Sequence, residues 1–203
     1  MLNMLKNKFL LFLLLLFISS CSQTFETTEE MNDYIKEEDN GYNYKKTVAD
    51  VDYILQYRPT DLLVKQELGD ETNPAKVEKL RKHYSQYMYF NLSMSKNEQE
   101  LLNGVAQDKA KFGQMVNELA FGMEKKLHVY TPTKDTLALT DFIYPRMYGM
   151  SNSTSIMIVY SRDPKYLKEE YLNFVIEDLG LDTGDIKFKI NTKALTNEPQ
   201  LRF

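Results

Sequence analysis

The amino-acid sequence predicts an α+β fold: a single domain with an antiparallel or mixed sheet of about seven strands and about five helices. Several segments alternate apolar and polar residues, as half-buried strands do, while others repeat apolar residues at helical spacing. Some predicted strands follow one another directly instead of alternating with helices, which favours this class over a doubly wound sheet. The 203 residues contain no repeat or internal linker, so one domain is expected.

The first part of the domain is predicted from helix-start signals and from alternation. Thr27 and Glu30 have the spacing of a capping box, so a helix should begin there and end at Asn40-Gly41. Asn73-Pro74 is the typical start of another helix. The predicted elements are, in order, the helix that Thr27 opens, strands at 42–48 and 51–57, helices at 61–68 and from Asn73, and a strand at 88–94.

The second part contains the strongest helix signal in the chain. Asp163-Pro164 can open a helix, apolar residues then recur at 167, 171, 174, 175 and 179, and Gly180 can end it. The segment at 154–160 is apolar on both faces, which predicts a central strand. The predicted elements are, in order, a helical region from Ser95 to about Lys125 in which Gly104 can introduce a break, strands at 127–131, 136–144 and 154–160, a helix at 163–179, a strand at 186–190 and an irregular C-terminus.

The first twenty residues have the pattern of a secretory signal peptide. Lys6 and Lys8 precede the apolar run from Phe9 to Ile18, and the small residues Ser19 and Ser20 follow it. That run would span about 15 Å as a helix, which is half of the hydrocarbon core of a bilayer. We therefore predict that residues 1–20 are cleaved and do not form a permanent transmembrane helix.

Ile18-Ser19-Ser20-Cys21 resembles the lipobox of bacterial lipoproteins. The resemblance implies cleavage between Ser20 and Cys21, a diacylglyceryl group on the Cys21 thiol and an acylated amino terminus, palmitate included. Residues 21–26 would be a lipidated tether to the bilayer, and 27–203 the globular domain. Several acyl chains anchor a protein stably. Ser22, where such proteins carry Asp for inner-membrane retention, favours the outer membrane, with the periplasmic or surface face left open.

Composition excludes several classes of function. Without residues 1–20 the chain keeps 23 of its 25 Lys and Arg against 29 Asp and Glu, a net charge of −6, which does not suit nucleic acid. Cys21 is the only cysteine, so the domain has no disulfide, thiolate metal site or cysteine nucleophile. Rich in Asn, Lys and Tyr, the chain is similar to uncharacterised envelope lipoproteins of the Bacteroidota type, a resemblance that implies no activity.

No motif in the sequence predicts a catalytic or metal site, and no cofactor is expected. Ser93 to Lys96 matches S-x-x-K, but Ser93 ends a predicted strand and no K-T-G follows. Asp182-Thr183-Gly184 occurs once, whereas aspartic proteases need two carboxylates. His83 and His128 lack zinc-ligand spacing. Asp135-Thr136-Leu137 resembles an O-glycosylation sequence of exported Bacteroidota proteins, and its modification is left open.

The segment at 141–155 is the candidate binding site. It places Tyr144, Arg146, Tyr148 and Asn152 between two predicted strands, and aromatic residues and Arg on such loops are common in recognition surfaces. In the alternative interpretation, Tyr144 and Met147 belong to the core and Arg146 pairs with an acid.

Three functions remain open. The first is a membrane-anchored, non-enzymatic envelope subunit that binds an envelope protein for assembly or as an accessory. The second is a lipid-tethered receptor for a small ligand or glycan, which would need a cavity with a few convergent polar groups. The third is a hydrolase, which would need His83 or His128 within hydrogen-bond reach of a serine and a carboxylate.

Overall fold

The computed structural model describes residues 23–147 and 149–203. The predicted signal peptide, its cleavage site at Ser20 and Cys21, and Tyr148 of the candidate loop lie outside the described residues. In the part that is described, no helix is both long enough and apolar enough to cross a bilayer.

The predicted α+β class is confirmed, with eleven strands and seven α-helices among the described residues. The strands are β1 (Thr24–Phe25), β2 (Asn43–Val48), β3 (Val51–Arg58), β4 (Tyr87–Lys96), β5 (Leu127–Tyr130), β6 (Thr136–Leu137), β7 (Leu139–Ile143), β8 (Thr154–Ser161), β9 (Tyr171–Ile176), β10 (Ile186–Asn191) and β11 (Gln200–Leu201). The α-helices are α1 (Thr28–Lys36), α2 (Thr60–Leu68), α3 (Pro74–Tyr84), α4 (Leu101–Gly104), α5 (Lys109–Asn117), α6 (Pro164–Leu167) and α7 (Thr192–Thr196). A π-helical turn (Glu118–Gly122) and two 3₁₀ turns (Glu38–Asn40 and Met123–Lys125) complete the elements.

The strands form three sheets instead of the single sheet that was predicted. An antiparallel five-stranded sheet has the order β2-β3-β4-β8-β7, and an antiparallel four-stranded sheet has the order β10-β9-β5-β6. The short strands β1 and β11 pair in parallel and join the two ends of the described chain. β7 is therefore an edge strand, and β8 lies between β4 and β7 as its two apolar faces predict.

One core joins the two larger sheets. Phe174 of β9 lies with its ring centroid 5.6 Å from that of Phe90 on β4 and 6.1 Å from that of Tyr160 on β8. All three rings are fully buried, and edge-on contacts between such rings add to the free energy of their burial. The inner faces of the sheets therefore hold the main core.

The hairpin of α2 and α3 lies on the opposite, outer face of the five-stranded sheet. It has a small apolar cluster of its own, which consists of Val64, Leu68, Val77 and Leu80. Tyr84, the last residue of α3, reaches Tyr89 of β4, with 5.8 Å between the ring centroids. Most residues on this face of β3, β4 and β8 keep an intermediate exposure, because the hairpin covers only part of the sheet, whereas Val159 is buried.

Elements with local start signals form as predicted. Thr27 and Glu30 make both hydrogen bonds of the capping box at α1, and the Asn73 side chain accepts hydrogen bonds from the first backbone N–H groups of α3. In β3 the burial alternates strictly from Val51 to Arg58. These elements depend on contacts within a few residues of chain, which a sequence pattern reports directly.

The predicted helix at 163–179 is wrong beyond Leu167. Residues Tyr171–Ile176 form β9, which pairs with β5 on one side and β10 on the other. The apolar residues that suit one face of a helix also alternate in this stretch, so Leu172, Phe174 and Ile176 point into the core. Val175 and Ile176 are β-branched and suit a strand, and two neighbouring strands supply hydrogen bonds on both edges.

Four further segments differ, wholly or in part, from the sequence prediction. Ser95 belongs to β4 and not to a helix, because Asn97 and Glu98 adopt left-handed φ angles of 53° and 56° in a tight turn. The region from Leu101 to Lys125 breaks after Gly104, where a break was expected, and is divided again after Asn117 into short π-helical and 3₁₀ turns. The predicted tether includes β1, and the C-terminus, predicted to be irregular, forms α7 and β11.

Candidate functional site

The loop from 144 to 153, here called the recognition loop, joins the edge strand β7 to β8. The Glu100 side chain, only 3% exposed, accepts hydrogen bonds through Oε1 from the backbone N–H groups of Gly149 and Ser151, both at 3.1 Å. Gly149 has a φ of 79°, which a residue with a side chain adopts only with strain. Hydrogen bonds to a carboxylate are strong, so the buried Glu100 holds this loop to the fold.

The start of α4 and the end of the recognition loop support each other. Glu100 directly precedes α4, and the Oγ1 atom of Thr154, the first residue of β8, accepts a hydrogen bond from Leu101 N–H at 3.0 Å. Leu101 and Thr154 are both buried. The loop therefore rests on a strand and a helix start that belong to the main core.

The recognition loop displays apolar side chains to solvent. Met150 is 78% exposed and Met147 is 39% exposed, so Met147 does not enter the core as the alternative interpretation required. Tyr144 packs against the main core, whereas Arg146 and Asn152 are exposed. The structure thus separates the candidate residues into a supporting tyrosine and an exposed group.

A groove with a volume of 610 Å³ lies between the α2–α3 hairpin and the outer face of the five-stranded sheet. We call it the tyrosine groove, because Tyr84, Tyr87 and Tyr89 line it above an apolar floor of Met157 and Val159. Ile143, which also lines it, is 49% exposed and is the last residue of β7 before the recognition loop. The groove and the loop are therefore continuous along the surface.

Tyr89 contacts the other two groove tyrosines edge-on. The ring centroid of Tyr89 lies 5.8 Å from that of Tyr84 and 6.2 Å from that of Tyr87. The Tyr84 hydroxyl donates a hydrogen bond of 2.5 Å to the Glu67 carboxylate, which, with partial burial, raises the pKa of Tyr84 to about 12. Tyr87 and Tyr89 make no side-chain hydrogen bond to any described residue.

A second cavity of 690 Å³, here called the polar cleft, is lined by charged residues near the C-terminus. Arg81 donates two hydrogen bonds to Asp61, at 2.7 and 2.6 Å, and Asp61 also accepts from Leu201 N–H at 2.8 Å. This bidentate pair attaches β11 to the α2–α3 hairpin.

The floor of the polar cleft is a buried network. The Glu198 carboxylate accepts hydrogen bonds from Arg162, from the Tyr57 hydroxyl and from Thr60 N–H, the last at 2.8 Å. Arg162 also donates to the Leu195 carbonyl at 2.6 Å. Burial, reinforced by the Glu198 charge, raises the pKa of Tyr57 far above its ordinary value. These groups bind one another and connect the C-terminal segment to β3 and β8.

Neither histidine is part of a hydrolytic constellation within the described residues. His128 Nε2 lies 2.8 Å from Glu177 Oε1, and this contact lowers the pKa of the Glu177 carboxyl, but no serine hydroxyl bonds to either ring. His83 contacts the edge of the Tyr84 ring. In the ranges 23–147 and 149–203, no group of three or more His, Cys, Asp or Glu side chains has an arrangement that would hold a metal ion.

The remaining sequence motifs lie in strands and in a turn. Ser93 lies on β4, 3.3 Å from the Ser155 hydroxyl of β8. Asp182 adopts a left-handed turn with a φ of 58°, and the neighbouring Thr183 hydroxyl contacts the Tyr53 hydroxyl at 3.0 Å. Thr136 is exposed on β6.

Comparisons with known proteins identify no relative: no protein-family model, no curated protein and no solved structure matches the chain. The candidate site therefore depends on its own geometry.

The sequence predicted the loop between two strands, which the structure has between β7 and β8, but it did not predict the tyrosine groove. The groove combines side chains from α2, α3, β4, β7 and β8, which lie far apart in the chain. One signal was present, because Tyr87 and Tyr89 alternate with apolar residues and so place two large rings on the outer face of a strand.

Proposed function

We propose that this chain is a lipid-anchored envelope lipoprotein, at the outer membrane, that binds a protein partner through the recognition loop. It acts as a non-enzymatic assembly or accessory subunit. The observation that carries the proposal is the exposure of Met147 and Met150 on a loop that the buried Glu100 holds in place. Methionine is enriched at protein interfaces, where it adapts to irregular partner surfaces, and a fixed loop loses little entropy on binding.

The position of β1 supports an anchored arrangement with a defined orientation. Gln23 is held by a hydrogen bond of 2.8 Å from Gln200 N–H to its carbonyl. Only Ser22 lies between Gln23 and Cys21, and two residues extend at most about 7 Å. An acylated Cys21 would therefore keep the β1–β11 end of the domain close to the bilayer.

The recognition loop and the contacts to the C-terminal segment lie at opposite ends of β8. Arg162, directly after β8, contacts the C-terminal segment that leads to β11, whereas the loop precedes β8 at Thr154. The eight residues of β8 span about 23 Å. With the anchor at one end, the loop faces away from the bilayer, where a partner can reach it.

The tyrosine groove is the observation that favours the second candidate, a lipid-tethered receptor. Its volume of 610 Å³ lies within the range of small-molecule sites, and aromatic and carboxylate groups converge in it. A glycan or another small ligand would occupy the groove without the loop.

Crosslinking in cells, followed by pull-down and mass spectrometry, tests the proposal. We expect one stoichiometric envelope partner, which Met147→Ser/Met150→Ser should lose. The matched control is Phe121→Ser, which removes an apolar side chain that is 77% exposed outside the loop. A partner that persists in the loop variant, or disappears equally in the control, would contradict the assignment of the loop.

The same experiment tests the anchor. Cys21→Ser should release the protein from the membrane fraction and remove the partner crosslink, because no described helix can replace the lipid. If the variant still sediments with membranes, the lipoprotein assignment is wrong, whatever the outcome for the loop.

A further inference from the structure

The groove tyrosines lack the cations that other tyrosines of this chain carry. Lys134, Lys165 and Lys189 place their ammonium groups over Tyr130, Tyr166 and Tyr171, at 5.6, 5.0 and 3.7 Å from the ring centroids. Among the described residues, no Lys or Arg lies over Tyr84, Tyr87 or Tyr89. A cation over a tyrosine face is attracted by the ring quadrupole, so these partly exposed rings can attract a cation from outside.

The charges of the groove have one sign. Glu67 and Asp141 line it together with His83, and no Lys or Arg of the described chain does. Tyr84 uses one Glu67 oxygen as an acceptor, and the Asp141 side chain accepts a hydrogen bond from Phe142 N–H at 2.8 Å. Two partly exposed carboxylates beside open aromatic rings are complementary to a positive charge.

The sheet register fixes the distance between the rings and the Asp141 carboxylate. Tyr89 pairs with Val159 on β8, and Val159 pairs with Asp141 on β7, so the three side chains stand in one row on the outer face. Neighbouring strands are about 4.8 Å apart, which places Tyr89 and Asp141 about 10 Å apart across Val159. An ammonium group above Val159 would contact the ring on one side and the carboxylate on the other.

The nearest competing charge in this row is Arg58, on the other side of Tyr89. Arg58 pairs with Tyr89 across β3 and β4, and its guanidinium donates to Gln66 Oε1 at 3.4 Å. It does not line the groove. Because Arg58 repels a second cation, the favourable position lies toward Asp141 and away from β3.

We propose that the tyrosine groove binds a lysine side chain in a docking segment of the partner protein. The methylenes of the lysine lie on the apolar floor of Met157 and Val159, and its ammonium group lies between the tyrosine rings and Asp141. The continuity of the groove with the recognition loop through Ile143 lets one partner occupy both. The proposal rests on the proposed function for a protein as the source of the lysine, while the preference for a cation rests on the groove alone.

A peptide titration tests the preference. The full chain, in a nonionic detergent, is titrated into a short fluorescent peptide of alternating leucine and lysine, and anisotropy is measured. The comparison peptide has the same sequence with every lysine acetylated, which keeps the length and apolar surface and removes the charge. We expect the charged peptide to bind about tenfold more tightly.

Two variants assign the binding to the groove. Asp141→Asn should remove most of the tenfold preference, and Tyr87→Leu/Tyr89→Leu should weaken the charged peptide while the acetylated one is little changed. Asp70→Asn/Glu124→Gln is the control, since it neutralises two exposed carboxylates outside the groove and should leave the preference intact. If the tyrosine variant unfolds, the Asp141 variant, which only exchanges an exposed oxygen for an amide, still decides the question.

The outcomes separate this inference from the proposed function. Equal affinity for the two peptides, or equal loss in the control variant, would overturn the lysine site while leaving the crosslinked partner and its dependence on the loop unaffected. Displacement of the probe by a neutral oligosaccharide, with no preference for charge, would overturn it in favour of a glycan receptor. A persistent charge preference with no crosslinked partner would refute the proposed function and leave a cation-binding groove.

Discussion

The polar cleft and the tyrosine groove have similar volumes, 690 and 610 Å³, but they differ in whether their polar groups have partners within the chain. In the cleft, Arg81 pairs with Asp61 and Arg162 pairs with Glu198, so the charges bind one another. In the groove, the hydroxyls of Tyr87 and Tyr89 have no partner among the described residues. The cleft has the larger volume of the two, but polar groups without a partner in the described chain are the better indicator of a ligand site.

The charged side chains of the two cavities have different roles. A largely buried pair such as Arg162 and Glu198 specifies how the C-terminal segment attaches, and removing one partner is costly because it leaves the other charge without a counterion. Exposed carboxylates such as Glu67 and Asp141 contribute little to stability and remain available for binding.

The largest effect is expected from Glu198→Ala. It leaves Arg162 buried without its carboxylate and removes the acceptor of Thr60 N–H, so the free energy of unfolding should fall by about 3–5 kcal/mol. Chemical denaturation measures the change, with exposed Asp70→Ala as the control at about 0.5 kcal/mol or less. A small loss for Glu198→Ala would mean that the cleft is a site and not a structural joint.

The next largest loss of stability is expected for Tyr57→Phe, with Tyr89→Phe as its matched comparison. Tyr57→Phe removes a buried hydroxyl that bonds to Glu198 and Arg162, and it should cost about 1–3 kcal/mol. Tyr89→Phe removes a hydroxyl with no partner in the described chain and should cost about 0.5 kcal/mol or less. Thermal unfolding of the two variants compares them directly, and equal losses would remove the distinction between the two cavities.

The smallest effect concerns the titration of Tyr84. Its pKa is raised to about 12 by the hydrogen bond to Glu67, so the stabilisation is present below pH 10 and is lost as the pH rises through 12. Glu67→Gln removes the negative charge and should return the pKa of Tyr84 toward its ordinary value near 10. Ultraviolet absorbance of the tyrosinate follows the shift. An unchanged titration curve would show that burial, and not Glu67, raises this pKa.

The sequence predicted the position of the recognition loop but not the contacts that hold it. Pro145 and Gly149 between two predicted strands indicated a connecting loop with polar and aromatic residues. The loop is held by hydrogen bonds to Glu100, which lies 49 residues before Gly149 in the chain. No local sequence pattern predicts the burial of Glu100. The position of the loop follows from local sequence signals, whereas its attachment to the fold depends on a long-range contact.

The tyrosine groove shows the same limit. Alternation along β4 places Tyr87 and Tyr89 on one face, and that much follows from the two-residue period of a strand. Which residues stand opposite is decided by the packing of the α2–α3 hairpin and by the register of β7 on β8. Sequence patterns carry no information on that register, because β7 contains a bulge between Leu139 and Asp141.

Local sequence patterns suffice to predict the α+β class, the capping box at Thr27, the strands β3, β4 and β8, and the helix that Asn73 opens. Each of these depends on residues that are neighbours in the chain. For Tyr171–Ile176 the apolar spacing suits both a helix and a strand, and pairing with the hydrogen-bonding edges of β5 and β10 selects the strand. The same long-range pairing assembles the groove and braces the loop, and it arises from burial and hydrogen bonds between segments that are distant in sequence.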